Sequence, residues 1–134
     1  MIQLFIGGKG SGKTKALIEL VNQATAHSNG SVVCIEKGDK LKLDITYKAR
    51  LMDTDSYGIE DAEALYGFIC GILASNSDIT DIFVDSALKI SANDTTAFAA
   101  LLKKLESNVQ MINVVMTASI PVEECPAEIK AYVK

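Results

Sequence analysis

The chain has 134 residues, 49% of them hydrophobic, which is enough for one compact core and too short for two ordinary domains. Its 13 basic and 17 acidic residues give a net charge of −4, which disfavours nucleic acid and anionic membranes as partners. No apolar run approaches the roughly 20 residues of a membrane-spanning helix, and the N-terminus lacks a secretory signal pattern. The composition therefore predicts a soluble, cytoplasmic protein with a single domain over residues 1–134.

Short apolar runs alternate with helical segments along the chain. The first run, Met1–Ile6, precedes a cluster of glycines and a helix that ends before Asn29-Gly30. Strands are predicted over residues 1–6, 31–36, 49–53, 81–85 and 111–117, and helices over 13–26, 60–75, 94–107 and a short C-terminal segment beginning at Pro126. Because the strands are apolar and alternate with helices, the pattern predicts a three-layer α/β/α fold with a mostly parallel five-stranded sheet.

The glycine cluster after the first strand matches the phosphate-binding pattern GxxxxGK[ST] at every fixed position. A β-phosphate must lie against backbone N–H groups, and side chains at Gly7, Gly10 and Gly12 would block it or exclude the required backbone angles. Lys13 is expected on the β- and γ-phosphates, and the Thr14 hydroxyl on Mg²⁺. The predicted nucleotide-binding residues are Gly7, Gly8, Lys9, Gly10, Ser11, Gly12, Lys13 and Thr14.

With this loop the chain resembles the P-loop NTPase superfamily. The dinucleotide-binding pattern GxGxxG fails on spacing, and the GK[ST] ending favours a nucleoside triphosphate. The resemblance implies ATP and Mg²⁺ as ligands and a P-loop NTPase fold. The chain also resembles small stand-alone bacterial P-loop proteins of this length, whose function is not assigned.

Two carboxylates suggest a branch of this superfamily. Asp85 closes an apolar strand and resembles the Walker B carboxylate, which orders the Mg²⁺ shell, although an aspartate that caps the strand end is the alternative. Ser86 stands where many P-loop ATPases carry a glutamate. RecA-type ATPases and their circadian-clock and replicative-helicase relatives also have Asp-Ser there, and their catalytic glutamate ends the second strand, as Glu36 does here.

The resemblance to the RecA-like core covers roughly residues 1–119 and implies roles for four residues. Glu36 would orient the attacking water and Lys13 would assist catalysis, while Thr117 or Ser119 would sense the γ-phosphate. The alternatives are a solvated turn carboxylate at Glu36 and two turn-forming hydroxyls at the end of the fifth strand.

The scarcity of arginine limits the activity. The only arginine is Arg50, so none lies near the glycine cluster to act on the γ-phosphate. The leading hypothesis is therefore slow, partner-dependent ATP hydrolysis, and the alternative is a nucleotide-responsive interaction protein without meaningful turnover. A small-molecule kinase would need several arginines and a lid. A GTPase is disfavoured because no [NT]KxD motif follows, and a degenerate scaffold that binds nothing is a third hypothesis.

The RecA-like resemblance also implies the order of the strands. The strand at 111–117 should lie between the first strand and the Asp85 strand, which gives the order 3-2-4-5-1. The first strand is then an apolar edge, which promotes association unless it is covered. We expect it to be covered either by the C-terminal segment with Ile129, Tyr132 and Val133 or by a second protein chain, which would also offer a cation in trans.

Overall fold

Five strands form one sheet in the computed structural model, which describes residues 1–134. They are β1 (Ile2–Gly7), β2 (Ser31–Glu36), β3 (Arg50–Asp53), β4 (Ile79–Val84) and β5 (Asn113–Ser119). All four pairings are parallel, and the spatial order is β1-β5-β4-β2-β3. The predicted α/β class, the parallel sheet and the order 3-2-4-5-1 are therefore confirmed.

Five helices connect and cover the strands. They are α1 (Lys13–His27), α2 (Ala62–Ser75), α3 (Ala87–Ile90), α4 (Thr95–Glu106) and α5 (Ala127–Lys130). Aspartates cap the N-termini of α2 and α4: Asp61 accepts the Ala64 N–H at 2.8 Å, and Asp94 accepts the Ala97 N–H at 3.0 Å. The sequence did not predict α3, since four residues are too few to show a helical period. None of these helices is both long and apolar enough to cross a membrane.

Alternate residues of the strands face two separate apolar clusters. On one face, Val32 and Cys34 of β2 pack with Leu17 of α1. On the other face, Val33 and Ile35 pack with residues of α2 and α4. This alternation follows from the period of two in a strand, and both faces are apolar because helices cover both. The arrangement is compatible with a three-layer α/β/α fold.

The C-terminal segment covers the edge strand β1. The Leu4 N–H donates to the Tyr132 carbonyl at 2.9 Å, and the Lys134 N–H donates to the Leu4 carbonyl at 3.1 Å. Ile129 of α5 is fully buried in the larger apolar cluster. Of the two expected ways to cover this edge, the structure therefore has the first, in which the chain covers itself.

Gly30 lies close against the backbone of Asp78, which leaves no room for a side chain. A Cβ here would collide with the Asp78 carbonyl oxygen and lie 2.9 Å from Thr80 Cγ2. Because the obstacle is backbone, we expect Gly30→Ala to lower the free energy of unfolding by about 2 kcal/mol or more. Gly67→Ala, inside α2, is the matched control. Its Cβ would meet nothing within 4 Å, so the substitution should raise the free energy of unfolding by as much as about 1 kcal/mol. Urea denaturation measures both, and parent-like stability of Gly30→Ala would contradict the prediction.

Candidate functional site

The glycine-rich loop, residues 7–14, joins β1 to α1 at the carboxyl end of the sheet. Gly12 immediately precedes α1 with φ +85°, a left-handed conformation that glycine adopts at least cost. A Cβ at Gly7 would lie 2.7 Å from Ser11 Oγ. The Lys13 ammonium folds back over the loop, donating to the Gly8 carbonyl at 2.9 Å and to Ser11 Oγ at 3.2 Å. Gly7, with φ +151°, and Gly12 thus both have backbone angles that favour glycine, and a Cβ at Gly7 would also have to displace the Ser11 hydroxyl.

The start of α1 is suited to an anion. No side chain caps its first N–H groups, and its first turn contains no acidic residue. Two lysines, Lys13 and Lys15, lie in that turn instead. Free N–H groups, the positive end of the helix dipole and cationic side chains together favour a negatively charged ligand over self-capping.

A hydrogen-bonded group of side chains joins the loop to β4 and β5. The Thr14 hydroxyl donates to Asp85 Oδ1 at 3.1 Å, and the Thr117 hydroxyl donates to the same oxygen at 2.8 Å. Thr117 in turn accepts the Ser86 N–H at 2.8 Å. Ser86 has φ +58°, an uncommon angle for a residue with a side chain. The structure thus brings Thr14, Asp85 and the predicted sensor Thr117 together, although 71 residues separate the first two.

The oxygen atoms of this group suit a hard cation that is shared with a phosphate. Asp85 supplies a carboxylate and Thr14 a hydroxyl, which are ligand types that Mg²⁺ accepts. No group of three or more His, Cys, Asp or Glu residues lies close enough together to hold a metal ion by itself. Mg²⁺ commonly binds through one or two protein oxygens together with substrate phosphates and water, so these residues fit that ion in the presence of a phosphate ligand.

Glu36 is buried at the end of β2 and holds the turn that follows. Its carboxylate accepts the Lys40 N–H at 3.1 Å and the Leu41 N–H at 3.2 Å, and the residue is only 2% exposed. Burial raises its pKa above the ordinary value, and repulsion by Asp85 and Asp53 acts in the same direction, while the two N–H groups oppose the rise. The alternative of a solvated turn carboxylate is therefore wrong.

A cleft of about 650 Å³ opens above the loop and the carboxyl ends of the strands. Its lining contains no aspartate or glutamate, and Leu88 is the only hydrophobic residue in it. Five lysines line the cleft, namely Lys9, Lys13, Lys15, Lys40 and Lys89. The chain as a whole is acidic, so the positive charge is concentrated at this cleft.

The predicted site residues divide into those that line the cleft and those that do not. Residues 9–14 of the loop line it, as do both predicted sensors, Thr117 and Ser119. Gly7, Gly8, Glu36 and Asp85 are not among the lining residues. Arg50 lines a different cavity, between β3 and α2. Sequence reasoning missed Lys40 and Lys89, and the second had no usable signal because it lies on the unpredicted helix α3.

In comparisons with known proteins, no protein-family model and no curated protein matches this sequence. Function is therefore inferred from the chemistry of the cleft and the residues beneath it.

Proposed function

We propose that this chain is a P-loop protein with a RecA-like core that binds ATP with Mg²⁺ and hydrolyses it slowly, with turnover that depends on a protein partner or a second copy of the chain. The observation that carries the proposal is the contact between Thr14, which lines a lysine-rich cleft, and Asp85, which lies beneath it. It joins the two residues expected to share Mg²⁺. The strand order, with β5 between β1 and β4, supports the RecA-like branch.

The loop and the start of α1 would hold the phosphates. Backbone N–H groups of residues 8–14 would face the β-phosphate, as the uncapped N-terminus of α1 favours. Lys13 would exchange its contacts with Gly8 and Ser11 for the phosphate oxygens, which are stronger acceptors. Thr14 and Asp85 would hold Mg²⁺, directly or through water. The ion would neutralise charge on the β- and γ-phosphates.

Hydrolysis would use Glu36 and remain slow. The carboxylate of Glu36 has lone pairs beyond those that accept backbone N–H groups, so it retains acceptor capacity to orient a water. Thr117, which already contacts Asp85, would sense the terminal phosphate. No arginine lines the cleft, because Arg50 lies beside another cavity. An additional cation from a partner would therefore raise turnover, as arginine fingers do.

A second candidate is a nucleotide-responsive interaction protein without meaningful turnover. The observation that favours it is the engagement of both Glu36 carboxylate oxygens by the turn that follows β2. A carboxylate committed to holding backbone would orient water poorly, and the protein would then act through its nucleotide-bound conformation. A small-molecule kinase is less favoured, since the cleft offers no arginine for an acceptor.

Calorimetric titration with ATP tests the proposal, first with Mg²⁺ and then with excess EDTA. We expect binding of one ATP per chain that weakens when Mg²⁺ is removed, because repulsion between the phosphates and Asp85 is then uncompensated. Absence of binding in both conditions would contradict the proposal. Phosphate release under saturating Mg²⁺ and ATP distinguishes slow turnover from none, and so separates the two candidates.

A further inference from the structure

The turn after β2, residues 37–41, is held from three sides. Glu36 accepts the N–H groups of Lys40 and Leu41, as described above. Asp53 Oδ1, at the end of the neighbouring strand β3, accepts the Gly38 N–H at 2.8 Å. Leu41 is only 3% exposed and packs in the cluster on the α1 face of the sheet. These contacts hold the backbone that carries Lys40 in place.

The two lysines of this turn have different surroundings. Lys37 makes the only ion pair of the structure, with Asp55 at 2.6 Å. The Lys40 side chain lines the cleft together with Thr14, Ser86 and Thr117, and its ammonium group has neither a hydrogen bond nor an ion pair. One positive charge of the turn is thus compensated away from the cleft, and the other remains available to a ligand.

The sheet order places Lys40 and the glycine-rich loop on opposite sides of Asp85. The glycine-rich loop approaches the cleft from β1, while Lys40 approaches from β2, on the far side of β4 and Asp85. A cation held by Thr14 and Asp85 would neutralise charge on the β- and γ-phosphates, and so would lie near the terminal end of the nucleotide. A group that lies beyond Asp85 from the loop would therefore face the terminal phosphoryl group and not the α-phosphate.

We propose that Lys40 is the cation which this chain itself supplies to the terminal phosphoryl group of a nucleoside triphosphate, held in place by the turn that Glu36 anchors. The inference rests on the proposed function. It adds a residue that would make the protein bind a nucleoside triphosphate more tightly than a diphosphate. Because the turn is already ordered, little conformational entropy of the backbone is lost when the contact forms. Glu36 is then also a positioning residue for Lys40.

The test compares Lys40→Ala with Lys42→Ala, a control that removes an exposed charge two residues further along the chain and outside the cleft. Each variant is titrated with Mg²⁺ and either a non-hydrolysable ATP analogue or ADP. We expect Lys40→Ala to weaken the triphosphate analogue about 10-fold while ADP affinity changes less than about 3-fold, because only the triphosphate has the γ-phosphate. Lys42→Ala should change neither affinity, and Lys40→Arg should retain most of the preference for the analogue.

Separate outcomes identify which step fails. One outcome is that the parent binds both nucleotides while Lys40→Ala lowers the affinity for both equally, or for neither. In that case Lys40 does not contact the terminal phosphate, and the inference is overturned. A loss in Lys40→Arg as large as in Lys40→Ala would overturn it too, since charge would not be the cause. If the parent protein binds neither nucleotide, the proposed function fails, and the assignment of Lys40 fails with it.

Discussion

Lys13→Ala is expected to abolish measurable binding of ATP with Mg²⁺, with a loss of affinity of at least about 100-fold. The Lys13 ammonium lies over the loop, within hydrogen-bond distance of Gly8 and Ser11, and so at the position where the phosphates would lie. Four other lysines line the cleft, but none of them donates a hydrogen bond to the loop. Their charges would therefore not replace the donor that we expect Lys13 to hold against the β- and γ-phosphates.

Titration calorimetry on the parent and on Lys13→Ala measures this loss, with Lys42→Ala as the control for removal of one positive charge. Circular dichroism should show that all three proteins are folded, since both lysines lie outside the apolar clusters. Equal affinity in the parent and in Lys13→Ala would mean that the glycine-rich loop is not the phosphate site.

Glu36→Gln is expected to lower ATP hydrolysis by about 10-fold or more, while Mg²⁺·ATP affinity stays within about 3-fold of the parent. The parent itself should turn over below about 10 per second, the median for enzymes, because no arginine lines the cleft. The glutamine oxygen can still accept a backbone N–H from the turn, so the variant should keep the conformation of the turn. It should lose the carboxylate that would orient the attacking water. Glu19→Gln, at an exposed position of α1, is the matched control.

The pH dependence of turnover gives an independent check on Glu36. A water-orienting carboxylate must be ionised, and burial raises the pKa of Glu36. The rate of ATP hydrolysis by the parent should therefore rise with pH, over a range that lies above the one in which an exposed glutamate ionises. Glu36→Gln should lack this rise. For folding the sign is opposite: a raised native pKa means that the contribution of Glu36 to stability falls as pH rises through this range.

An outcome in which Glu36→Gln hydrolyses ATP as fast as the parent would exclude Glu36 as the water-orienting group. The carboxylate would then serve to hold the turn that carries Lys40. Only turnover at the background level in both proteins would favour the nucleotide-responsive interaction protein. Phosphate release by the two proteins at several pH values decides between these outcomes.

The sequence alone was sufficient for the elements that depend on local periodicity. The glycine-rich loop was predicted because its spacing is contiguous and its neighbours have strand and helix patterns. The predicted β5 began two residues early, at Met111, an apolar residue that is 95% exposed in the turn before the strand. The helix α3 was missed because its four residues are shorter than any detectable period. The sheet order came from the resemblance to RecA-like ATPases, since local periodicity carries no information on which strands are neighbours.

Only the tertiary structure decided how the charges are arranged. A net charge of −4 predicts an acidic surface on average, but composition does not record that Lys9, Lys40 and Lys89 face one cleft. They meet because parallel strands bring their carboxyl ends, and the loops that follow them, to the same edge of the sheet. Burial of Glu36 was equally hidden, because it depends on a turn that folds back over β2 and packs Leu41 against α1. Local pattern thus determined the elements and the loop, while contacts between distant segments determined the cleft.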